Sequence, residues 1–299
     1  MKKLIAVFYT FLLTVTFGVV GFCLYSFLSI SELNVNLKQS NNILTNLNSQ
    51  VEIFDTNNNQ LSYTSTSGQT AVSLKDLPDY VKNAFIAIED KNFYNHKGLN
   101  FKRIIMATFN NILSGYTKEG GSTISQQLIK NVHLTNDKTL KRKIQEAFLT
   151  SKLEEQYTKD EIMQTYLNVI YFGHSIIGVE NAAQVYFNKK AKDLTIAQSA
   201  ILAGIIKSPS YYSPITNHKA CLERRNVVLS EMLKENYITE NEYKSALKEN
   251  LSVSNDFSFV NNNSFYEQTI KEAQDVLNLS EKDVALSNYK IYTYFNQCG

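Results

Sequence analysis

The sequence predicts a mainly α fold, with a small N-terminal β-hairpin and a single N-terminal transmembrane helix, on three observations. Only three prolines and eleven glycines interrupt 299 residues, which argues against a turn-rich all-β architecture and against long flexible linkers. Four capping-box signatures recur: Thr123 with Gln126, Thr158 with Glu161, Thr195 with Gln198 and Thr239 with Glu242. Each offers a hydroxyl to the first helical turn and a reciprocal Glu or Gln three residues on. Apolar residues between these signatures recur at helical spacing.

From Leu4 to Ser31 there is no charged residue, and about 20 apolar residues suffice to cross the hydrocarbon core. The run exceeds the apolar region of a cleavable signal and lacks its alanines, with Ala6 the sole alanine before Ala71. Residues 1–31 are therefore read as an uncleaved anchor. Lys2 and Lys3 on its short side place the N-terminus in the cytoplasm and everything after Glu32 outside. Residues 32–50, asparagine-rich and weakly patterned, read as a stalk. From Val51 to Thr64, β-type residues flank Asp55-Thr-Asn-Asn-Asn59, a hairpin whose turn residues tolerate left-handed backbone, and this is expected to be the only sheet of note. Helical signals dominate after Pro78.

Phe101, Ile104, Ile105, Phe109 and Ile112 mark one amphipathic helix ending before Gly115. Leu140, Ile144, Ala147 and Phe148 mark the core-facing stripe of another that runs to about Tyr157. Thr195 to Ile206 is apolar nearly all round and reads as a buried central helix. After Asn250 the pattern weakens and then resumes near Phe265, which puts a boundary at about 250–263. The expected organisation is an anchor at 1–31, a stalk at 32–50, one domain at 51–250 and a linker-like tail at 251–299.

Charge and cysteine content exclude several classes. Setting aside Lys2 and Lys3, the bases balance the 28 acids, so a nucleic-acid partner is unattractive. Cys23, Cys221 and Cys298 show neither a paired framework nor a CxxC, and HExxH is absent, so no disulfide fold and no zinc site are expected.

Three segments could carry chemistry. Glu89 and Asp90 close the apolar run Ala84 to Ile88 and precede Phe93 and His96. A carboxylate at an apolar edge is where desolvation tunes acidity for proton transfer; a turn cap with His96 on a backbone carbonyl is the plainer alternative. Gly120 and Gly121 precede a capped helix, whose N-terminal N–H groups suit phosphate oxygens, although the spacing is neither a Walker loop nor a dinucleotide fingerprint. Lys130 to Lys152 then carries six bases against Asp137 and Glu146, a local basic patch beside that loop. Arg142 and Glu146 share one face by i, i+4 spacing, away from the Ile144/Phe148 stripe. That spacing fits a plain helix ion pair, or Glu146 as the second acid of a carbohydrate-processing site.

Together these residues resemble the family 51 glycosyltransferases, the peptidoglycan polymerase modules of penicillin-binding proteins and of monofunctional membrane transglycosylases. The motif EDxxFxxHxG is complete as Glu89, Asp90, Phe93, His96 and Gly98. GGSTITQQ reads Gly120 to Gln127 with Ser125 for the threonine, and Lys130-Asn131 follow. RKxxE is Arg142, Lys143 and Glu146, and KxEILExYLN is Lys159 to Asn168 with Gln164 for a glutamate. Later stretches are similar too, with Ser175, Ile177 and Asn188 replacing the more usual Gly, Tyr and Gly.

The resemblance implies a lysozyme-like helical large lobe with a smaller membrane-facing lobe. It implies polymerisation of lipid II, the lipid-linked disaccharide-peptide, into glycan strands at the bacterial cell membrane, with inversion, release of polyprenyl pyrophosphate and no nucleotide cofactor. Glu89 would be the general base on the acceptor 4-hydroxyl. Glu146 would sit by the leaving pyrophosphate with Lys130, Arg142 and Lys143, either through a divalent cation (Mg or Mn) or as a proton donor. Ser122, Gln126 and Gln127 would contact the sugars from a flap that begins at Gly120 and Gly121. Ser245 to Lys248 and Ser287 to Lys290 match SxxK by chance, with no KTG downstream, so a separate transpeptidase is the expected partner. Lys290-Ile-Tyr-Thr293 resembles the segment that leads into such a domain in bifunctional relatives. The rival readings are a lysozyme-like cleaver of finished glycan and a non-catalytic envelope scaffold.

Overall fold

The computed structural model describes residues 9–10, 13–14, 16–21, 52–58, 60–61, 71–100, 121–133, 140–174, 176–251, 253, 264–279, 284 and 289–294. In chain order its elements are β1 (Glu52–Phe54), β2 (Gln60–Leu61), α1 (Asp79–Glu89), α2 (Ile124–His133), α3 (Leu140–Gln156), α4 (Lys159–Val169), α5 (Val179–Phe187), α6 (Ile196–Ile205), α7 (His218–Lys234), α8 (Glu240–Lys248), α9 (Ser264–Leu277) and β3 (Lys290–Tyr292). The fold is mainly helical, as predicted. The helix expected at 101–113, the stalk, Gly120 and Ser175 lie outside the described residues, as does most of the expected anchor. The described residues between 9 and 21 are helical and expose Tyr9, Leu13, Phe17, Val19 and Val20. Among the described residues no helix is long and apolar enough to cross a membrane.

All four capping boxes close. Thr158, Thr195 and Thr239 each accept from the third backbone N–H of their helix while Glu161, Gln198 and Glu242 reach back. The Thr123 hydroxyl accepts from Gln126 N at 3.2 Å and the Gln126 carbonyl oxygen accepts from Thr123 N at 3.1 Å. Helix α6 is the central element, with nine of its ten residues buried. Helix α7 lies along it so closely that a Cβ at Gly204 would stand 3.0 Å from Arg224 Cγ, and α1 packs on both. Phe85 of α1 meets Tyr166 and Phe172 edge-on, with ring centroids 6.4 and 6.3 Å away, a geometry that suits the ring quadrupoles.

Two departures from the usual family residues are absorbed locally. Gln164 accepts from Leu74 N at 3.0 Å, a bond that needs an oxygen but no charge. Asn188 ends α5 in left-handed backbone at φ 52°, which asparagine tolerates nearly as well as glycine.

The hairpin forms where expected. Ile53 faces Leu61 in antiparallel register, and the turn is held by Asp55, which accepts from Asn57 N at 2.8 Å and Asn58 N at 3.1 Å, with Asn58 at φ 62°. It is not the whole sheet, however. β3 pairs parallel with β1 in the order β2-β1-β3, and Thr293 donates both its N–H and its hydroxyl to the Phe54 carbonyl at 2.9 Å. Ile270 of α9 and Val284 are buried with Ile53 in a second small core, with Ala273, Leu279 and Ile291 against it. Residues 251–299, read as linker-like, thus supply a helix and a strand. The apolar pattern that resumes near Phe265 is this helix.

The face expected to bury α3 is also corrected. Ile144, Ala147 and Phe148 are only partly buried, whereas Glu146, Thr150 and Leu153 are buried. The helix turns Glu146, not its isoleucine, toward α2.

Candidate active site

Helix α1 brings Glu89 to its last turn, half-buried, and ends on Asp90, which is fully buried. Asp90 serves two partners: its Oδ2 accepts from the backbone N–H of Ile124, the first residue of α2, at 3.1 Å, and lies 2.9 Å from His96 Nε2. Negative charge at a helix start complements the helix dipole. His96 therefore bonds a carboxylate, not the carbonyl of the plainer alternative, and Phe93 packs edge-on against it at 6.3 Å. Gly98 closes the motif at φ +81°, where a Cβ would sit 2.8 Å from Thr150 Cγ2, and its carbonyl accepts from the Thr123 hydroxyl at 2.6 Å. The first motif thus fixes the start of α2 through Asp90 and Gly98.

Ile124 N is taken by Asp90, and Thr123 N and Gln126 N are taken by the capping box, so these three N–H groups are engaged within the protein. The cations beside this turn are the side chains of Arg142 and Lys143.

The first turn of α2 presents two consecutive amides to two acids. Gln127 Nε2 donates to Glu89 Oε2 at 2.7 Å, and Gln126 Nε2 donates to Glu146 Oε1 at 3.1 Å. Glu146, 1% exposed, also accepts from Lys143 on Oε1 and from Arg142 Nη1 on Oε2 at 3.2 Å, and Lys143 Nζ donates to Ser122 Oγ at 3.2 Å. Gly121 and Ser122 lead into this turn, both partly buried. Lys130 is exposed one turn further along α2, and no hydrogen bond or ion pair among the described residues joins it to the cluster. Both oxygens of Glu146 are occupied, and among the described residues no three of His, Cys, Asp and Glu converge as metal ligands. A resident cation held by protein groups alone does not fit here.

Sequence reasoning missed three participants. Tyr166 of α4 is fully buried and donates to Gln127 Oε1 at 3.1 Å. Burial, with the charges of Glu89 and Asp90 beside it, holds its phenol pKa well above the usual value, so the hydroxyl keeps its proton. Glu154 accepts from Ser125 and from Lys159 Nζ, the latter at 2.7 Å, and Lys159 lies 4.5 Å over the Phe93 ring. Lys159 and Tyr166 lie on the fourth motif, Lys159 to Asn168, and Glu154 lies near the end of α3. A tyrosine on a buried helix was the available signal, since a buried hydroxyl seeks a partner.

The transglycosylase family model matches residues 57–233, more than half of the chain. Penicillin-binding protein 1F of Bacillus subtilis is 39% identical over 247 residues, 82% of this chain and 35% of that protein. Penicillin-binding protein 2D of the same organism is 40% identical over 74% of this chain and 33% of its own length. Penicillin-binding protein 1A of Aquifex aeolicus is 46% identical over 182 residues, 61% of this chain and 25% of that protein. A crystal structure of penicillin-binding protein 1A from Haemophilus influenzae aligns at a TM-score of 0.40 with 25% identity, over 82% of this chain and 26% of that one. The chain thus spans about a third or less of the length of the relatives it matches. With the four motifs gathered around the start of one helix and the family match running through all of them, the chain belongs to the transglycosylase family, the family 51 glycosyltransferases.

Proposed function

We propose that the chain is a peptidoglycan glycosyltransferase that polymerises lipid II into glycan strands. The observation that carries this reading is the pair of consecutive amides, Gln126 and Gln127, which tie a carboxylate bearing two cations and a second carboxylate to one helix start. Glu89 removes the proton of the acceptor 4-hydroxyl as that oxygen bonds to the donor's anomeric carbon. The bond from that carbon to pyrophosphate breaks on the opposite face, which inverts the centre. Arg142 and Lys143 offset the charge that develops on the departing pyrophosphate. Glu146 keeps those cations in place. A divalent cation arriving with the pyrophosphate would be held by Glu146 and would supply further positive charge there, and no step depends on it. Ser122, which accepts from Lys143 at 3.2 Å, and the outlying Lys130 are the remaining groups for the diphosphate and the sugars.

The membrane setting belongs to the same reading. Residues 1–31 anchor the chain once, N-terminus inside, 32–50 form a stalk, and the catalytic part faces outward as a lysozyme-like large lobe with a smaller lobe against the lipid. The apolar helical surface between residues 9 and 21 is consistent with this. A separate transpeptidase would cross-link the product. The test is the full chain in detergent with labelled lipid-linked precursor and no nucleotide sugar: glycan polymer is expected, and its absence overturns the assignment. Purified sacculi in parallel should release no soluble muropeptides; their release would make the chain a hydrolase.

A further inference from the structure

We propose that Tyr166 is a positioning residue for Glu89, acting through Gln127. The chain of donation runs in one sense: the buried phenol donates to Gln127 Oε1 at 3.1 Å, and Gln127 Nε2 donates to Glu89 Oε2 at 2.7 Å. An amide has an acceptor end and a donor end, and little else in its shape distinguishes them. Turned over, Gln127 would set its oxygen against the Glu89 carboxylate and lose the bond that now holds it. Because the phenol stays protonated beside two acids, its hydroxyl always offers a proton to Oε1, and only the observed orientation satisfies both ends. Tyr166 is itself immobilised by the edge-on contact with Phe85, four residues before Glu89 on the same helix. The rotamer of the base is thereby referred to the packed core instead of to solvent. Among the described residues, the titratable groups facing this network are Asp90, which carries His96, and Tyr166 from α4, whereas α2 contributes the Gln127 amide.

The inference depends on Glu89 being the base, and the experiment separates the two. In the full chain, Tyr166→Phe is expected to lower kcat about tenfold, as loss of one positioning hydrogen bond would, with KM unchanged within about twofold. The acid limb of the kcat profile should move, because the carboxylate is no longer held against one fixed donor. Tyr186→Phe is the structural control: it removes another buried hydroxyl, which donates to the Phe172 carbonyl at 2.9 Å, and should lower thermal stability without moving that limb. Tyr166→Phe in a Glu89→Gln background should slow the residual rate no further. If Tyr166→Phe does not fold, Gln127→Asn, shortened by one methylene at a partly buried site, must give the same fall and the same limb shift. An inactive Glu89→Gln with an unaltered profile in Tyr166→Phe or Gln127→Asn overturns the positioning role alone. A fully active Glu89→Gln overturns the base assignment beneath it.

Discussion

Glu89 and Glu146 are held by neighbouring residues of one helix, yet their surroundings differ in kind. Glu89 is half-buried and its hydrogen bond from α2 comes from a neutral amide. Glu146 is buried and takes an amide and two cations. A neutral donor orients a carboxylate while leaving it able to accept a proton. Two cations do the opposite, tying up the carboxylate while it fixes where they stand. Two chemically identical side chains thus divide the labour, one for proton transfer and one for charge placement.

Substitution at the two positions should separate those roles. Glu89→Gln should reduce polymerisation by about 10³-fold, within the usual range for a general base, with denaturant stability nearly unchanged; equal losses of stability at both sites would erase the distinction. Glu146→Gln should weigh more on the fold, costing about 2–3 kcal/mol in urea unfolding, because a buried site loses its ion pairs. That figure is at the low end because Lys143 is 45% exposed. Gly98→Ala touches both poles through the start of α2. Its Cβ would meet Thr150 at 2.8 Å in left-handed backbone, so a cost of about 2 kcal/mol is expected, with activity falling alongside.

The smallest effect is one of pH and lies away from the site. Hydrogen bonds from Thr158 and Thr239 hold the Glu161 and Glu242 carboxyls below their ordinary value of 4.5, and Lys234 and Lys91 do the same for Glu231. A lowered folded-state value stabilises the fold above the unfolded value and ceases to as the group protonates. Stability should therefore decline gradually below about pH 4.5. Thr239→Ala should flatten that decline, and thermal melts from pH 6 to 3 would read it.

The helix starts were legible in the sequence because a capping box is a local device, with both partners three residues apart. Helix α6 was legible because burial on all sides leaves no polar face. The orientation of α3 was not. Hydrophobic periodicity ranks side chains by their aversion to water, and a glutamate that will be satisfied by Gln126, Arg142 and Lys143 looks like any surface charge until those partners are in space. The same holds for Tyr166, whose importance lies in a contact 39 positions back along the chain. Gln126 and Gln127, expected to meet sugars, are found holding the two acids, contacts that their motif does not announce.

The parallel register of β1 with β3 carries a consequence for biogenesis. Glu52 lies opposite Lys290, so the whole helical stretch between them must leave the ribosome before the first strand meets its second neighbour. Closing so large a ring is entropically costly and slow. Until then, Ile53 lacks the cover of Ile270 and Val284, leaving a nascent hairpin that depends on late synthesis to be shielded.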